Sequence, residues 1–432
     1  MAFVLKIFKS LRNHWKKSVF FSGIAVYGVK YARDRYEEDL MRRHYCAEAR
    51  IYGEERIGLN QKPRRITLFL NPAACLGRSK KLFEKNAAPI LYLAGLEVNV
   101  AYTEYEGQVK KFMNVLETKD VNGIVVAGGD GTLIEAVTGF MRKEDKSFRR
   151  NIPLGIIPLG QTNRFAKLFF GGDKDEVKCI LDAAMAVVKG TVEKVDVLSI
   201  QGEDGRTIYS LTGMETGAFR DAEQRKKSYW YLGPLKSRWT YLRTAMMDWP
   251  PVITGTIRYV LATEENQSKK KVPPKVEEKK SSWSLMNLFY SRTSKAKVEE
   301  EEEEEDDSGE TEDMKTEDLS TVEFTLMPSN FMSPEQKVKG VLVGIGPSSP
   351  EKMDFIKEGW RRIRDSSLKY GTDNNRQLLV KKIKFIPNIG EGSNLEWYNI
   401  DGEQFEVMPV EVKLLRNRLK MYSLKSTSDK MI

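Results

Sequence analysis

The residues with the clearest chemical potential form a glycine-rich run, GGDGT, at positions 128–132. Residues 124–127 before it are apolar, as in a buried parallel strand, and apolar residues at helical spacing follow over 133–140. Glycines let the backbone approach an anion, and the first turn of a helix offers free N–H groups, so this unit predicts a phosphate cradle. The predicted cradle consists of Gly128, Gly129, Gly131 and Thr132.

Asp130 lies inside this cradle. A carboxylate repels phosphates unless it binds a metal ion or accepts a proton, so Asp130 indicates catalysis as well as binding. The alternative is an ordinary strand–helix turn in which the aspartate caps the helix. Two other phosphate motifs, GxGxxG and GxxxxGK followed by Ser or Thr, are missing from the chain. Their absence argues against a Rossmann dinucleotide site and against a P-loop.

Composition limits the class of protein. The chain has 432 residues, enough for two domains, and a formal net charge of +9. Residues 1–65 hold 15 Lys or Arg and 7 Asp or Glu, so most of the excess lies at the start. This distribution favours an anionic membrane surface or a targeting sequence, and no zinc spacing or aromatic RNA-binding motif indicates nucleic acid. Three scattered cysteines exclude a disulfide framework, and both histidines, His14 and His44, precede the predicted catalytic core.

Residues 1–33 are predicted to form a basic targeting or membrane-anchoring segment, because seven Lys or Arg precede the first acid, Asp34. Within it, residues 18–29 are uncharged and largely apolar. Twelve helical residues extend about 18 Å, which is less than the roughly 30 Å of a bilayer core. An uncleaved membrane anchor is the favoured interpretation. A cleaved mitochondrial presequence and an amphipathic or buried helix are the alternatives.

The rest of the chain divides by pattern. Residues 34–63 are predicted to be a linker helix. Strand and helix patterns alternate over residues 64–190 and predict an α/β domain with a parallel sheet, whose loops meet at the carboxyl ends of the strands. Short alternating strands dominate residues 191–263 and 321–425 and predict a mostly antiparallel β-sandwich. Residues 264–320 contain nine consecutive acids and are predicted to be a disordered, charged insert.

Four segments carry a resemblance to a known family: FLNPAAC at 69–75, VAGGDGTLIEAVTG at 126–139, SYWYLGPLK at 228–236 and MPVEVKLL at 408–415. In this order they resemble the diacylglycerol kinase catalytic family, and within it the mitochondrial acylglycerol kinases. The resemblance extends over residues 64–422. It implies two domains with ATP in the cleft between them.

The same resemblance implies Mg²⁺ beside ATP and a set of nucleotide contacts. These contacts are Asn71, Thr103, Gly129, Gly131, Thr132, Glu135, Gly160, Thr162 and Asn163. Lys236 is expected to pair with a phosphate, with a solvated lysine as the alternative. The chain departs from the family where Arg164, in place of an aspartate, follows Asn163, which leaves the contribution of this loop to metal binding open.

Asp401-Gly402-Glu403 lies between two predicted strands. The pair Asp-Gly favours a two-residue type I′ hairpin turn, so a structural role is one interpretation. The resemblance implies instead that the motif faces the nucleotide, with Glu403 among its contacts. Asp130 and Asp401 are then the two candidate bases for a hydroxyl acceptor, and Asp130 is favoured because it lies in the phosphate cradle.

Recognition of the acceptor is expected in residues 211–223. Asp221 or Glu223 is predicted to hydrogen-bond its polar head, and Phe219 and Met214 are predicted to line its acyl channel. Surface acids and core apolar residues without a role in binding are the alternative.

The resemblance thus implies a lipid kinase that transfers the γ-phosphoryl group of ATP to mono- or diacylglycerol, giving lysophosphatidic or phosphatidic acid. A ceramide- or sphingosine-type kinase is the alternative enzyme. A kinase-independent subunit of the carrier translocase in the inner mitochondrial membrane is the alternative from another class. The expected location is that membrane, facing the intermembrane space, with the N-terminus contacting the bilayer and with no nucleic acid partner.

Overall fold

The computed structural model of the protein describes residues 15–56, 58, 62–171, 175–247, 249–262, 314–331, 340–364, 376–389, 395 and 397–424. The predictions for residues 1–14 and for most of the charged insert lie outside these residues.

The first domain is built on four parallel strands, as predicted. They follow the order β4-β3-β1-β2 across the sheet. The central strand β3 is buried along its whole length, with Ile124 and Val126 facing one apolar cluster and Val125 and Ala127 facing another. Both faces of the sheet are therefore covered, which is the usual condition of parallel sheets. The strands are β1 Arg65–Leu70, β2 Glu97–Tyr102, β3 Gly123–Gly128 and β4 Leu154–Pro158.

Helices supply the cover on both faces. They are α1 Trp15–Gly53, α2 Ala74–Gly77, α3 Ser79–Leu82, α4 Ala88–Leu93, α5 Gln108–Val115, α6 Asp130–Arg142, α7 Lys146–Asn151, α8 Arg164–Phe170 and α9 Glu176–Lys189, with a π-helical turn at Phe83–Ala87. On one face, α5 and α6 bury residues such as Met113 and Phe140 against the sheet. On the other face, α4 and α9 bury residues such as Leu91 and Val187.

Helix α1 is one continuous element of 39 residues, so the predicted boundary between residues 33 and 34 is not a structural break. Its second half packs on the first domain, where Arg42 Nε donates to Asn86 Oδ1 at 2.7 Å and Lys189 pairs with Glu48 at 2.8 Å. Its first half exposes a run of large apolar side chains over residues 19–31. Among the residues that the structure describes, none of the helices combines the length and hydrophobicity needed to cross a bilayer.

The second domain is mostly antiparallel, as predicted. Its strands are β5 Val192–Gly202, β6 Thr207–Ser210, β7 Met214–Gly217, β8 Ile253–Leu261, β9 Lys315–Thr321, β10 Glu323–Met327, β11 Val341–Ile345, β12 Arg376–Pro387, β13 Trp397–Ile400, β14 Glu403–Glu406 and β15 Val410–Tyr422. One ladder runs β14-β13-β7-β10-β11-β12, and another joins β6-β5-β15 and β9-β8 to the same strand β12. Both ladders contribute side chains to one apolar core, for example Phe324 and Val343 from the first and Leu198 and Ile257 from the second.

Three helices of this domain were missed by the strand-dominated prediction. They are α10 Ala218–Arg225, α11 Lys236–Ala245 and α12 Lys352–Arg364, and a 3-10 turn at Trp230–Leu235 leads into α11. The helices pack together through Ala218, Ala222, Tyr241, Phe355 and Ile356.

The predicted insert 264–320 is too long at its C-terminal end. Strand β9 pairs with β8 in antiparallel register, with Tyr259 opposite Lys315 and Ile253 opposite Thr321. Its sequence, KTEDLST, is mostly polar and charged, but Leu319 and Thr321 alternate into the interior. Glu317 lies half-buried on the same face, and Asp318 faces outward. This pairing brings the two ends of the remaining insert to neighbouring positions on one hairpin.

The last strand, β15, connects the two domains. Over most of its length it pairs with β5 and β12, and at Met421 it pairs in parallel with Leu154 of β4. Leu419 and Met421 enter one core of the first domain, and Tyr422 enters the other. The prediction had assigned the whole of residues 321–425 to the second domain.

Replacing residues 263–313 with a flexible linker of about six residues should leave the fold intact, because β8 and β9 already lie side by side. Closing a 51-residue loop costs about 2 kcal/mol more than closing one of six, so stability should be unchanged or raised. Thermal unfolding of the full chain and the shortened chain measures this. A midpoint of thermal unfolding that is more than about 5 °C lower in the shortened chain would contradict the hairpin of β8 and β9.

Candidate active site

A large cleft opens where the carboxyl ends of β1, β2, β3 and β4 face the second domain. Its volume is about 1530 Å³, whereas a small-molecule site typically occupies roughly 300–1,000 Å³. There is therefore room for two substrates. Binding at the carboxyl edge of a parallel sheet is the usual position of a ligand in α/β folds.

The GGDGT turn forms the floor of the cleft and is built from close backbone contacts. A Cβ atom on Gly128 would lie 2.7 Å from Oγ1 of Thr132, and one on Gly160 would lie 2.2 Å from Cα of Gly129. Only glycine fits at these positions. Helix α6 begins at Asp130, so the N–H groups of the first helical turn lie at this floor.

Asp130 is buried, with 2% of its surface exposed. The backbone N–H of Arg164 donates to both carboxylate oxygens, at 2.9 and 3.0 Å. Burial raises the pKa of Asp130 from 3.8 to about 6, and the negative charge of Asp401 adds to this rise, while the N–H groups of Arg164 and Phe165 oppose it. A carboxylate with this pKa is ionised at neutral pH yet accepts a proton readily, as a general base requires.

Asp401 is also buried, but its surroundings are different. Its carboxylate accepts hydrogen bonds from the side chains of Ser210 and Thr212, both at 2.6 Å, and from three consecutive backbone N–H groups over residues 211–213 at 2.7 to 3.1 Å. Four of these five hydrogen bonds end on Oδ1 and one, from the N–H of Leu211, ends on Oδ2. This arrangement makes Asp401 a structural clamp on the loop between β6 and β7.

The predicted hairpin turn at Asp401-Gly402 is present. Ile400 pairs with Glu403, and the two turn residues have φ of +49° and +95°, as a type I′ turn requires. The turn reaches across the cleft, since a Cβ on Gly402 would lie 3.3 Å from Oδ2 of Asp130. The Asp-Gly pair therefore forms a hairpin turn, and the motif that contains it also borders the cleft. The structural interpretation and the cleft-facing interpretation are compatible.

Glu403 follows this turn and lines the cleft. A Cβ on Gly131 would lie 2.8 Å from Oε1 of Glu403, so glycine lets the two domains approach at this point. Burial raises the pKa of Glu403; the positive charge of Lys227 lowers it and the negative charge of Glu106 raises it.

Asn71, Thr103 and Glu135 also line the cleft. Asn71 Oδ1 accepts from the N–H of Ala73 at 3.0 Å, which is an Asx turn, and its Nδ2 donates to Oγ1 of Thr132 at 3.2 Å. Glu135 Oε1 accepts from the N–H of Lys110 at 3.2 Å. These contacts position the loops after β1 and β2 around helix α6.

Gly160 and Thr162 line the cleft as well, whereas Asn163 lies beneath it. The side-chain amide of Asn163 makes two hydrogen bonds to Gly160, each 2.9 Å long. Its Oδ1 accepts from the backbone N–H, and its Nδ2 donates to the backbone carbonyl. Arg164, the residue that departs from the family pattern, binds both carboxylate oxygens of Glu215 on β7, one of them at 2.8 Å. This loop therefore supplies a link between the domains through Arg164.

The remaining predicted residues are not brought to the cleft. Lys236 begins helix α11 away from it, and Met214 is fully buried in the core of the second domain. Phe219 packs against Phe355 and under the guanidinium of Arg362, which lies 3.9 Å from the ring centroid. Glu223 joins Phe219 at a separate cavity of about 20 Å³, and Asp221 pairs with Arg220.

Two groups of cleft residues were not predicted from the sequence. One group consists of basic side chains: Lys110, Arg142, Arg206 and Lys227. Lys110 was detectable in principle, because it lies in the first turn of a helix that follows a parallel strand. The other group is an apolar wall from the second domain, whose members are distant in sequence: Ile200, Ile208, Tyr398, Phe405, Met408 and Val410.

Comparisons with known proteins agree with this architecture. Residues 65–200 match the diacylglycerol kinase catalytic domain, and residues 211–432 match the acylglycerol kinase C-terminal domain. The chain is 37% identical to mitochondrial acylglycerol kinase of Mus musculus over 421 residues, and 36% identical to that of Homo sapiens over 418 residues. Each alignment covers 96% of both chains.

The chain belongs to the acylglycerol kinase family. It is accordingly an ATP-dependent lipid kinase, and the predicted family is confirmed. A crystal structure of a diacylglycerol kinase from Bacillus anthracis str. Sterne has the same fold, with a TM-score of 0.52 at 19% identity, covering 86% of this chain and all of that one. Residues 12–116 also match Tim54, a subunit of the inner membrane protein import complex.

In this acylglycerol kinase family member, Asp401→Asn should destabilise the fold by about 3 kcal/mol, because an amide nitrogen would face N–H donors that now bind a carboxylate. Urea denaturation measures the change, with the exposed Asp120→Asn as the matched control. Unchanged stability together with a large loss of turnover would instead assign Asp401 to the chemistry.

Proposed function

We propose that the chain transfers the γ-phosphoryl group of ATP to the free hydroxyl of mono- and diacylglycerol, giving lysophosphatidic and phosphatidic acid. The observation that carries the proposal is that one cleft combines a phosphate-binding type of floor with apolar surface. The first domain contributes the GGDGT turn with Lys110 and Arg142, and the second contributes apolar side chains together with Arg206 and Lys227. A phosphate donor and an acyl acceptor need these two environments side by side.

The nucleotide phosphates are proposed to lie on the floor formed by Gly129, Gly131 and Thr132, with the loop of Gly160 and Thr162 beside them. Their N–H groups supply donors without a charged side chain. Lys110 and Lys227 line the same space and would offset phosphate charge. Asn71, Thr103 and Glu135 would contact the rest of the nucleotide.

Mg²⁺ fits this site as a partner of the nucleotide. Within the described part of the chain, no cluster of three or more His, Cys, Asp or Glu is placed to hold a metal ion. Mg²⁺ often binds through one or two carboxylates plus substrate phosphates, and Glu403 lines the cleft where Gly131 approaches the second domain. Bound there, it would neutralise charge on the phosphates.

Asp130 is proposed to be the general base. It would accept the hydroxyl proton of the acceptor while the hydroxyl oxygen forms a bond to the γ-phosphorus and the bond from that phosphorus to ADP breaks. The raised pKa and the position at the cradle support this role. Asp401, with its five hydrogen-bond donors, would act by holding the opposite wall in place.

The acyl chain is proposed to lie along the apolar wall that includes Ile208, Phe405 and Met408. This replaces the predicted channel at Phe219 and Met214, because both side chains are packed away from the cleft.

An assay of the purified chain with different acceptors tests which lipid is phosphorylated. The chain is incubated with ATP, Mg²⁺ and monoacylglycerol, diacylglycerol, ceramide or sphingosine in mixed micelles. Exclusive phosphorylation of ceramide or sphingosine would refute the proposal in favour of the alternative kinase.

The chain is proposed to act in mitochondria, at the inner membrane and facing the intermembrane space, with the exposed apolar part of α1 contacting the bilayer. The mitochondrial relatives and the match to Tim54 over residues 12–116 support this location. The same match favours a second, kinase-independent role at the inner-membrane carrier translocase.

Asp130→Asn should lower kcat by about 10²- to 10⁴-fold with little change in ATP affinity, because the amide keeps the shape but cannot accept a proton. Stability at pH 7.5 should not fall, since the change removes a buried charge. Assays of acylglycerol phosphorylation measure kcat, and calorimetry measures the affinity for ATP. Retained turnover would exclude Asp130 as the base.

The same variant separates the two roles. In cells lacking the native chain, Asp130→Asn should restore carrier import while failing to restore lipid phosphorylation. Loss of both would indicate that the import role depends on the kinase reaction.

The pH dependence of kcat/KM should show an acidic limb with an apparent pKa of about 6, because Asp130 is a base only when ionised. The raised pKa also means that ionised Asp130 destabilises the folded chain. This loss of folding free energy is absent below pH 3.8, the pKa of the unfolded chain. It is complete above about pH 6, where it reaches about 3 kcal/mol. Relative to the native chain, Asp130→Asn should therefore gain stability as the pH rises from 4 to 7, as measured by urea denaturation.

A further inference from the structure

The surface formed by the 3-10 turn Trp230–Leu235 and helix α11 exposes large apolar side chains that the kinase reaction does not use. Trp230, Tyr231 and Leu235 are 77%, 64% and 62% exposed. On α11, Thr240, Tyr241, Thr244 and Ala245 face the interior, whereas Trp239 and Leu242 face outward, as does Met246 directly after the helix. A surface helix normally has the reverse arrangement. The six outward side chains of residues 230–246 are called the aromatic face below.

Neighbouring structure holds this face in place. Trp360 of α12 donates from Nε1 to the carbonyl of Arg238 at 3.3 Å, and the Arg238 guanidinium lies 5.9 Å from the Trp360 ring. Trp360 is itself partly exposed and extends the apolar area. The face is therefore presented by packed helices, and binding needs little ordering of the chain.

The segment that forms the aromatic face carries charge of a single sign. From Lys226 to Met247 the chain carries five Lys or Arg and no Asp or Glu. Lys226, Arg238 and Arg243 are exposed beside the apolar side chains. Exposed Trp and Leu flanked by cations suit the boundary of an anionic bilayer, where rings enter the headgroup region and cations meet lipid phosphates.

The segment that carries the aromatic face also contributes a residue to the cleft. Lys227 lines the cleft and lowers the pKa of Glu403 through its positive charge, and it precedes Trp230 by three residues. The intervening turn is held by hydrogen bonds from the N–H of Ser228 to Arg225 and from that of Leu232 to Tyr229. A bilayer seated on this face would lie next to the entrance of the active site.

We propose that the aromatic face docks the catalytic domains on an anionic lipid bilayer, independently of helix α1. The docking would bring the cleft to acceptors that remain in the membrane. The role given to docking, delivery of the cleft to its acceptors, rests on the proposed function. The docking itself requires no catalysis.

Vesicle partition of the full chain tests the proposal, without ATP or acceptor present. The variant Trp230→Ser/Tyr231→Ser/Leu235→Ser is compared with a control that changes equally exposed apolar residues elsewhere, Tyr92→Ser/Val115→Ser/Ile389→Ser. Vesicles of phosphatidylcholine with 30% phosphatidylserine as the probe should bind the first variant about ten-fold less tightly than the native chain. The control should bind like the native chain. Equal binding of both variants would overturn the proposal.

A charge variant, Lys226→Gln/Arg243→Gln, removes two exposed cations without touching the apolar side chains. It should weaken binding to vesicles with phosphatidylserine and leave binding to pure phosphatidylcholine unchanged. No effect on either vesicle would contradict an anionic bilayer as the partner. Loss of carrier import with unchanged vesicle binding would assign the face to a protein and also overturn the proposal.

Kinase assays separate this inference from the proposed function. The aromatic-face variant should lose activity toward diacylglycerol in vesicles and keep activity toward a short-chain diacylglycerol dispersed in solution. Equal loss on both would overturn docking as the cause. No activity from the native chain on any acceptor would refute the proposed function, while the vesicle partition would still test the face.

Discussion

The buried carboxylate of Asp401 is the interaction on which the geometry of the cleft depends. Burying a charge is costly unless the group is hydrogen-bonded, and the loop 210–213 supplies five donors to this carboxylate. The loop and the hairpin of β13 and β14 are thereby fixed to each other. That hairpin brings Gly402 to Asp130 and Glu403 to Gly131, so one buried carboxylate sets the contact between the two domains.

Two aspartates of the same chemical type have different properties because their environments differ. Asp130 is contacted by backbone N–H groups of the helix that begins at Arg164, and it lies near the negative charge of Asp401. Burial therefore dominates and its pKa rises. Asp401 is surrounded by hydroxyl and N–H donors. Different environments of two carboxylates in one cleft are a common basis for different roles in active sites.

The sequence predicted the parts of the site that are local. The strand, glycine turn and helix of residues 123–142 and the Asp-Gly hairpin follow from short-range rules, and both are present. Contacts between distant segments were not accessible in this way. Nothing near Phe219 indicates that it packs under Arg362, and nothing near Arg164 indicates its pairing with Glu215, 51 residues away. Strand β9 was missed because its charged residues hide a two-residue alternation.

The return of β15 to the first sheet has a consequence for how the protein is made. The nucleotide-binding half is synthesised first, but its strand β4 gains a partner on one side only when residues near Met421 have left the ribosome. Until then the cores beside β4 lack Leu419 and Tyr422, and a sheet edge is open. The amino-terminal half is thus the first to begin folding and among the last to be completed, which makes this period the one in which a chaperone is of most use.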